Sequence, residues 1–268
     1  MGPMTDAGAY SDDLNLAVHM TDVVDEITLS GFRSSGLKVE HKEDTTPVTE
    51  IDRAAEQAIR DLLARNRPND AVHGEEFGAT GSGPRRWVID PVDGTKNYIR
   101  GIPVWGTLIA LLDEGVPVLG VVSAPALGQR WFAARGEGAW KGNSIRAASR
   151  IHVSEIDSLD QATLSYSSLS GWEQRGMLDQ FLEFQRGLWR TRAFGDFWSY
   201  MMVAEGVVEI ASEPELALWD MAALVTIVEE AGGTFTSLTG EAGAFGADAV
   251  ATNGLLHDEV SRALAPPR

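Results

Sequence analysis

Residues 87–97 read W-V-I-D-P-V-D-G-T-K-N. The apolar lead-in predicts a short strand over 86–89 that ends where Pro91 removes a backbone donor. Asp90 and Asp93 stand three positions apart around that proline. A bend there can aim both carboxylates and the Val92 carbonyl at one point. Gly94 permits close backbone approach, and Thr95 offers a hydroxyl and an amide. If a short helix starts here, its first amides make an anion site. Hard divalent cations prefer carboxylate and carbonyl oxygen, so one short segment can hold metal on one side and phosphate oxygens on the other.

Working outward, three further acidic positions stand out. Gly74, Glu75 and Glu76 occupy a turn after Val72; Asp220 follows Trp219 at the start of a predicted helix; Asp52 closes the stretch P-V-T-E-I-D over 47–52. Each has an ordinary explanation when taken singly. An Asp before Gly is usually a turn residue, an Asp ahead of an apolar helical stripe is usually an N-cap, and paired glutamates usually face solvent. Their conjunction is what matters.

Apolar spacing predicts helices over 12–32 (Leu14, Ala17, Val18, Val24, Ile27) and 52–66 (Ala55, Ile59, Leu62, Leu63). Runs at 105–112 and 116–123 flank Asp113, Glu114 and Gly115, which is a hairpin signal. A strand at 130–134, a helix over 173–184, a strand over 188–194, a helix over 196–205 and a strand over 207–211 follow. The helix over 219–231 is the strongest, stopped by Gly232 and Gly233. Strands near Phe235 and Val250 and a short helix finish the chain. Strands first meander and then alternate with helices, so the expected fold is a layered α/β (α+β) architecture. A soft boundary near residue 150 suggests two halves, 5–148 and 149–268, the first with most candidate metal ligands and the second with one.

Composition narrows the function. The 268 residues, 44% of them hydrophobic, can bury a large core. No apolar run approaches the roughly 18 residues that span a bilayer, and the residues ahead of the first helix show no basic region followed by an apolar one, so a secretory signal is not expected. With no cysteine, thiolate metal sites and thiol nucleophiles are excluded. A cytoplasmic protein is expected. The net charge of −17 disfavours nucleic acid and anionic membrane as partners. There is no Walker A segment and no Gly-x-Gly-x-x-Gly after a strand.

The segments G-E-E at 74–76, D-P-V-D-G-T-K-N at 90–97 and W-D-M-A-A at 219–223 together resemble the inositol monophosphatase-like family of metal-dependent phosphatases, over nearly the whole chain. The resemblance implies an α-β-α-β-α sandwich and a phosphomonoesterase using two or three Mg²⁺ per site, commonly as a homodimer. It implies Glu75, Asp90 and the Val92 carbonyl as ligands of one ion, and Asp90, Asp93 and Asp220 as ligands of a second. A third, weaker ion would also lean on Glu75. Gly94 and Thr95 correspond to the phosphate-binding amides. Glu75 and the Thr95–Asp52 pair correspond to the groups that orient an attacking water. Lys42 or Asp44 falls where the family has a mobile loop. Lys96 is a departure, standing where well-known members have Thr.

Specificity is expected from Arg190 to Phe197 and from Glu213, Pro214 and Glu215. Simple inositol phosphatases carry a small or hydroxyl residue after the glycine, whereas here Asp196 follows Gly195. An acid there suits a cationic or imidazole-bearing leaving group, and the pattern resembles the histidinol-phosphate phosphatase branch of the family. That branch hydrolyses L-histidinol phosphate to L-histidinol and phosphate in histidine biosynthesis. Asp196 and Glu213 would meet the substrate's imidazole or amine, with Arg192 an ion-pair partner for these acids. Asp196 could instead simply cap its helix, and Trp198 and Tyr200 read as packing. A polyol-phosphate phosphatase is the alternative within the family. A non-catalytic acidic cation-binding protein is the alternative outside it, though such a buffer has no use for Thr95 and Asp52.

Overall fold

The computed structural model describes residues 8–41 and 47–267; Lys42 and Asp44 lie outside the described residues. Helix α1 (Ser11–Gly31) buries Leu14, Ala17, Val18, Met20 and Val24 on one face. The short strands β1 (Val39–His41) and β2 (Pro47–Thr49) pair antiparallel. They lead into α2 (Glu50–Asn66), which starts two residues earlier than its apolar spacing suggests. The cause is a reciprocal cap. Thr49 Oγ accepts from the amides of Ile51 (3.1 Å) and Asp52 (3.4 Å), and the Asp52 carboxylate accepts from the Thr49 amide at 3.0 Å.

A second group of strands follows: β3 (Ala71–Gly74), β4 (Gly78–Thr80), β5 (Arg85–Asp93), the helix α3 (Thr95–Arg100), then β6 (Gly106–Asp113), β7 (Val116–Ala124), β8 (Gln129–Ala134), β9 (Gly138–Lys141) and β10 (Ser149–Ile151). Among the described residues they form a sheet in the order β10-β9-β8-β7-β6-β5-β3-β4. All neighbours are antiparallel except β3 and β5. The hairpin between β6 and β7 forms as expected, with Glu114 as well as Gly115 at positive φ (50° and 78°). The strand expected over 86–89 runs on through Pro91 to Asp93. Its pairing with β6 breaks register between Asp90 and Asp93. Proline is tolerated at such an irregularity because no ladder bond is required of it.

The remaining elements are β11 (Thr163–Ser165), α4 (Leu169–Gln174), α5 (Leu178–Gln185), β12 (Arg190–Arg192), α6 (Asp196–Ala204), β13 (Ile210–Glu213), α7 (Leu218–Glu230), β14 (Thr234–Thr236), β15 (Ala249–Thr252) and α8 (His257–Leu264). The helix expected over 173–184 is thus two, interrupted near Gly176, whose φ is 68°. The strands expected over 188–194 and 207–211 are shorter or shifted. The second sheet has the order β12-β11-β13-β15-β14, with β11 parallel to both neighbours.

The pleat distributes β5 between two cores. Trp87 and Ile89 face α1 and α2, together with Ile109, Val121 and Phe132. Val88 faces the opposite way, with Leu108, Val122 and Trp131, against α6, α7 and the second sheet's Ala211, Phe235 and Ala251. Beyond that sheet, Leu164, Ile210 and Val250 pack on Trp172, Phe181 and Val260 of α4, α5 and α8. The layers are therefore helix, sheet, helix, sheet, helix, the sandwich anticipated from the sequence.

Candidate metal and phosphate site

The break in β5 sets the site. Asp90 is buried and its carboxylate accepts from the Val92 amide at 2.9 Å. The Val92 side chain is enclosed with Tyr98 and Trp105, and the Tyr98 hydroxyl donates to the Thr28 carbonyl of α1 at 2.6 Å. This aromatic anchor fixes α3 beneath the end of β5. Gly94 precedes α3 with φ at 84°, which glycine adopts freely. The Thr95 hydroxyl has two acceptors within reach, the Val92 carbonyl at 3.0 Å and Asp52 at 3.3 Å.

Asp220 arrives from the other half of the chain. It is the third residue of α7 rather than its N-cap, and it accepts from the Ala217 amide at 2.7 Å. Asp52 likewise sits at the third helical position, not at the cap. Carboxylate oxygens of Asp90, Asp93 and Asp220 lie within 4.8 Å of one another. Among the described residues none of the three makes an ion pair with Lys, Arg or His. Burial and mutual repulsion hold Asp90 and Asp93 well above the usual carboxylate range; Glu75 contributes the largest repulsion at Asp90, and Asp196 at Asp93. Burial raises Asp220 to about 6 against the Ala217 amide, with Glu75 again contributing. Three hard oxygen donors forced together without a cationic side chain fit a divalent ion, which would relieve all three charges at once.

A cavity of about 680 Å³ opens over these groups, lined by Glu75, Asp93, Thr95, Asn97, Asp196 and Asp220 among others. Another of about 790 Å³ adjoins it and shares Glu75, Glu215 and Asp220. Asp196 does not cap its helix. Gly195 holds that position, and Asp196 itself sits at φ 49°, rare for a residue with a side chain. Its carboxylate accepts from Asn97 at 2.8 Å. Burial pushes it up to about 6, and the charge of Lys96 opposes that rise. Lys96 is exposed at the cavity rim. The amide that α6 presents next, from Phe197, donates to Asp93 at 2.7 Å, so a candidate ion ligand also caps the helix that carries Asp196.

A family model described as inositol monophosphatase family matches residues 10–265. The chain belongs to that family. A histidinol-phosphatase of Streptomyces coelicolor is 59% identical over 255 residues, covering 94% of this chain and 96% of the relative. One from Mycobacterium tuberculosis is 54% identical over 250 residues, covering 93% and 96%. The solved inositol monophosphatase of Thermotoga maritima superposes with a TM-score of 0.84 at 33% identity, over 94% of this chain and 96% of that one. That of Zymomonas mobilis gives 0.84 at 33% identity, over 96% and 99%. As an inositol monophosphatase family member the chain is a metal-dependent hydrolase of small phosphate monoesters. No helix of the described residues is long and apolar enough to cross a membrane.

Within the family frame, the site residues separate into those the fold gathers and those it leaves apart. Glu75, Asp90, Val92, Asp93, Gly94, Thr95, Asp52, Asp220 and Asp196 cluster as described. Glu213 ends β13, buried, and is pushed up to about 8 by burial and by the neighbouring charges of Asp196 and Asp220. Arg192 is not brought to these acids. It lies exposed on the edge strand β12, donating to the carbonyl of Thr191 at 2.7 Å. Tyr200, expected only to pack, is fully buried with its hydroxyl beside Glu213, which raises it further. Its spacing of four from Asp196 places both on one face of α6, a signal the sequence did carry. Asn97 was also readable as part of the motif, but its bond to Asp196 spans 99 residues and only the fold reveals it.

Proposed function

We propose that this family member is a Mg²⁺-dependent histidinol-phosphate phosphatase. The observation that carries the reading is Asp196. A carboxylate replaces the small or hydroxyl residue of simple inositol phosphatases, is aimed by Asn97, and lies on the wall of the cavity that Asp93 and Asp220 of the aspartate cluster also line. Glu213 carries its carboxyl close to Asp196, and Tyr200 stands beside Glu213, both buried rather than lining the cavity. A neutral polyol needs no such acid, whereas the ammonium and imidazole of histidinol pair with it through charge-assisted hydrogen bonds. The identity to two histidinol-phosphatases over nearly the full chain supports the same substrate.

Glu75, Asp90, Asp93, Asp220 and the Val92 carbonyl would hold the ions, two or three of them. Bound Mg²⁺ would supply positive charge for the phosphate and the departing oxygen and would acidify a nearby water. The chain's own residues do the rest. Gly94 and Thr95 offer amides to the phosphate oxygens. The Thr95 hydroxyl has a single proton; with the Val92 carbonyl engaged elsewhere, Asp52 is its acceptor, and the hydroxyl's lone pairs are then free to take a hydrogen bond from water and orient it beside Glu75. Asp52 suits this part because burial raises it above the usual carboxylate range while the Thr49 bonds keep it fixed. Asp196, backed by Glu213, binds the cationic end of the alcohol. Arg192 has no part in this arrangement.

A phosphate-release panel tests the assignment. L-histidinol phosphate should be turned over with a kcat/KM at least tenfold above that for inositol 1-phosphate, and EDTA should abolish both rates. Faster release from inositol 1-phosphate would refute the substrate, and full activity in EDTA would refute the ion ligands.

A further inference from the structure

The inner face of α2 carries two carboxylates four residues apart, Asp52 and Glu56, both wholly shielded from solvent. The first reaches Thr95. The second turns toward the β3–β4 turn, where Glu56 Oε2 accepts from the Glu76 amide at 2.7 Å and Oε1 from the Phe77 amide at 3.2 Å. The amide of Glu75 donates the other way, to the Ile89 carbonyl of β5 at 3.1 Å. The turn carrying Glu75 is therefore tied to β5 through the Glu75 amide and to α2 through the amides of Glu76 and Phe77, while the Glu75 carboxylate reaches Asp90.

Two details show that this arrangement is built. A Cβ added to Gly74 would lie 2.0 Å from Glu56 Oε1, so the bare glycine makes the space the carboxylate occupies. Arg60, one turn along α2, meets Glu56 at 2.7 Å and donates also to the Gly78 carbonyl (2.5 Å) and Thr80 (3.0 Å), balancing the buried charge and closing the hairpin onto the helix. Every group that Glu56 touches here is a donor. A carboxylate satisfies them all; an amide would turn its own NH₂ against one of them.

We propose that Glu56 is a positioning residue that clamps the turn carrying Glu75 and so sets the site's affinity for divalent cations. The proposal rests on Glu75 being an ion ligand. Partners that orient metal ligands typically contribute about 10- to 100-fold in affinity. Mn²⁺ binding to Glu56→Gln, followed by the loss of the free-ion EPR signal, should weaken by about tenfold or more relative to wild type. The Mg²⁺ half-saturation for turnover should rise with it and kcat should fall, while KM stays nearly constant. Leu63→Ala, which opens the apolar core two turns along α2 from Glu56, separates the clamp from general destabilisation: it should lower Tm yet keep Mn²⁺ affinity within about twofold of wild type. A folded Glu56→Gln that binds Mn²⁺ as wild type does overturns the proposal. So does a loss of affinity in both variants that merely tracks their loss of Tm. If Glu56→Gln does not fold, Glu56→Asp, which withdraws the carboxylate by one methylene, is read by the same criteria. Failure of the wild-type chain to bind Mn²⁺ would instead strike the ligand reading of Glu75, and this proposal with it.

Discussion

Asp93 and Asp220 each already receive a backbone amide, from Phe197 and Ala217. An Asn at either position keeps an oxygen for that bond and removes only the charge. Asp93→Asn or Asp220→Asn should therefore stay folded, and in EDTA should melt no lower than wild type because a repelling buried charge is gone. Turnover should fall at least a hundredfold, given what fixed charge at a reaction centre is typically worth. Melting curves with and without EDTA, beside a phosphate-release assay, check both halves. Asp196 is a different case. Asn tolerates φ 49° and keeps an oxygen for Asn97, so Asp196→Asn isolates the charge. A hydrogen bond to a charged partner contributes about 1.5–3 kcal/mol. The kcat/KM for histidinol phosphate should accordingly drop roughly ten- to a hundredfold, while that for inositol 1-phosphate holds or rises. Equal losses on both substrates would remove Asp196 from recognition of the alcohol.

At the scale of elements, α2 supports the site twice, through Asp52 and Glu56, and depends on the Thr49 cap. Thr49→Val removes the hydroxyl that receives two amides and that bonds Asp52. Loss of an N-cap costs about 1 kcal/mol, and Asp52 loses a partner besides. A fall in Tm accompanied by a lower kcat is expected; lost stability with unchanged kcat would show that Asp52 needs no such fixing. The same elements show what was legible beforehand. The helices over 12–32 and 219–231 and the hairpin around Gly115 were readable because local apolar spacing decides them. The strand through Pro91 was underestimated because proline ordinarily ends a ladder, and the register break that admits it depends on β6. Residues 173–184 read as one helix because the apolar stripe continues past Gly176. For the site, the acids of the three motifs were visible in the chain. Glu56 was not, since a glutamate one turn after Asp52 looks like any solvated helix position until β3 is laid against it.

Across the molecule, the acids impose a pH dependence that metal should mask. Burial moves Glu213 from about 4.5 to about 8, and Asp196 and Asp220 from 3.8 to about 6. In each case the folded state holds the proton more tightly than the unfolded chain. Metal-free stability is thus greatest below the unfolded values and is lost as pH climbs through about 4–6 for the aspartates and about 4.5–8 for Glu213. In EDTA, Tm should fall between pH 5 and pH 8.5. Saturating Mg²⁺ should recover most of that loss, because it binds the folded state alone; a Tm that rises with pH in EDTA would contradict the burial of these acids. The join between α6 and β5 has a separate consequence. Residue 197 serves Asp93 through its main chain, which any amino acid but proline can supply, while in the proposed arrangement residue 196 meets the alcohol through its side chain. A lineage can therefore drift from one phosphorylated metabolite to another by exchanging a single codon at 196, with the hydrolytic chemistry inherited unaltered.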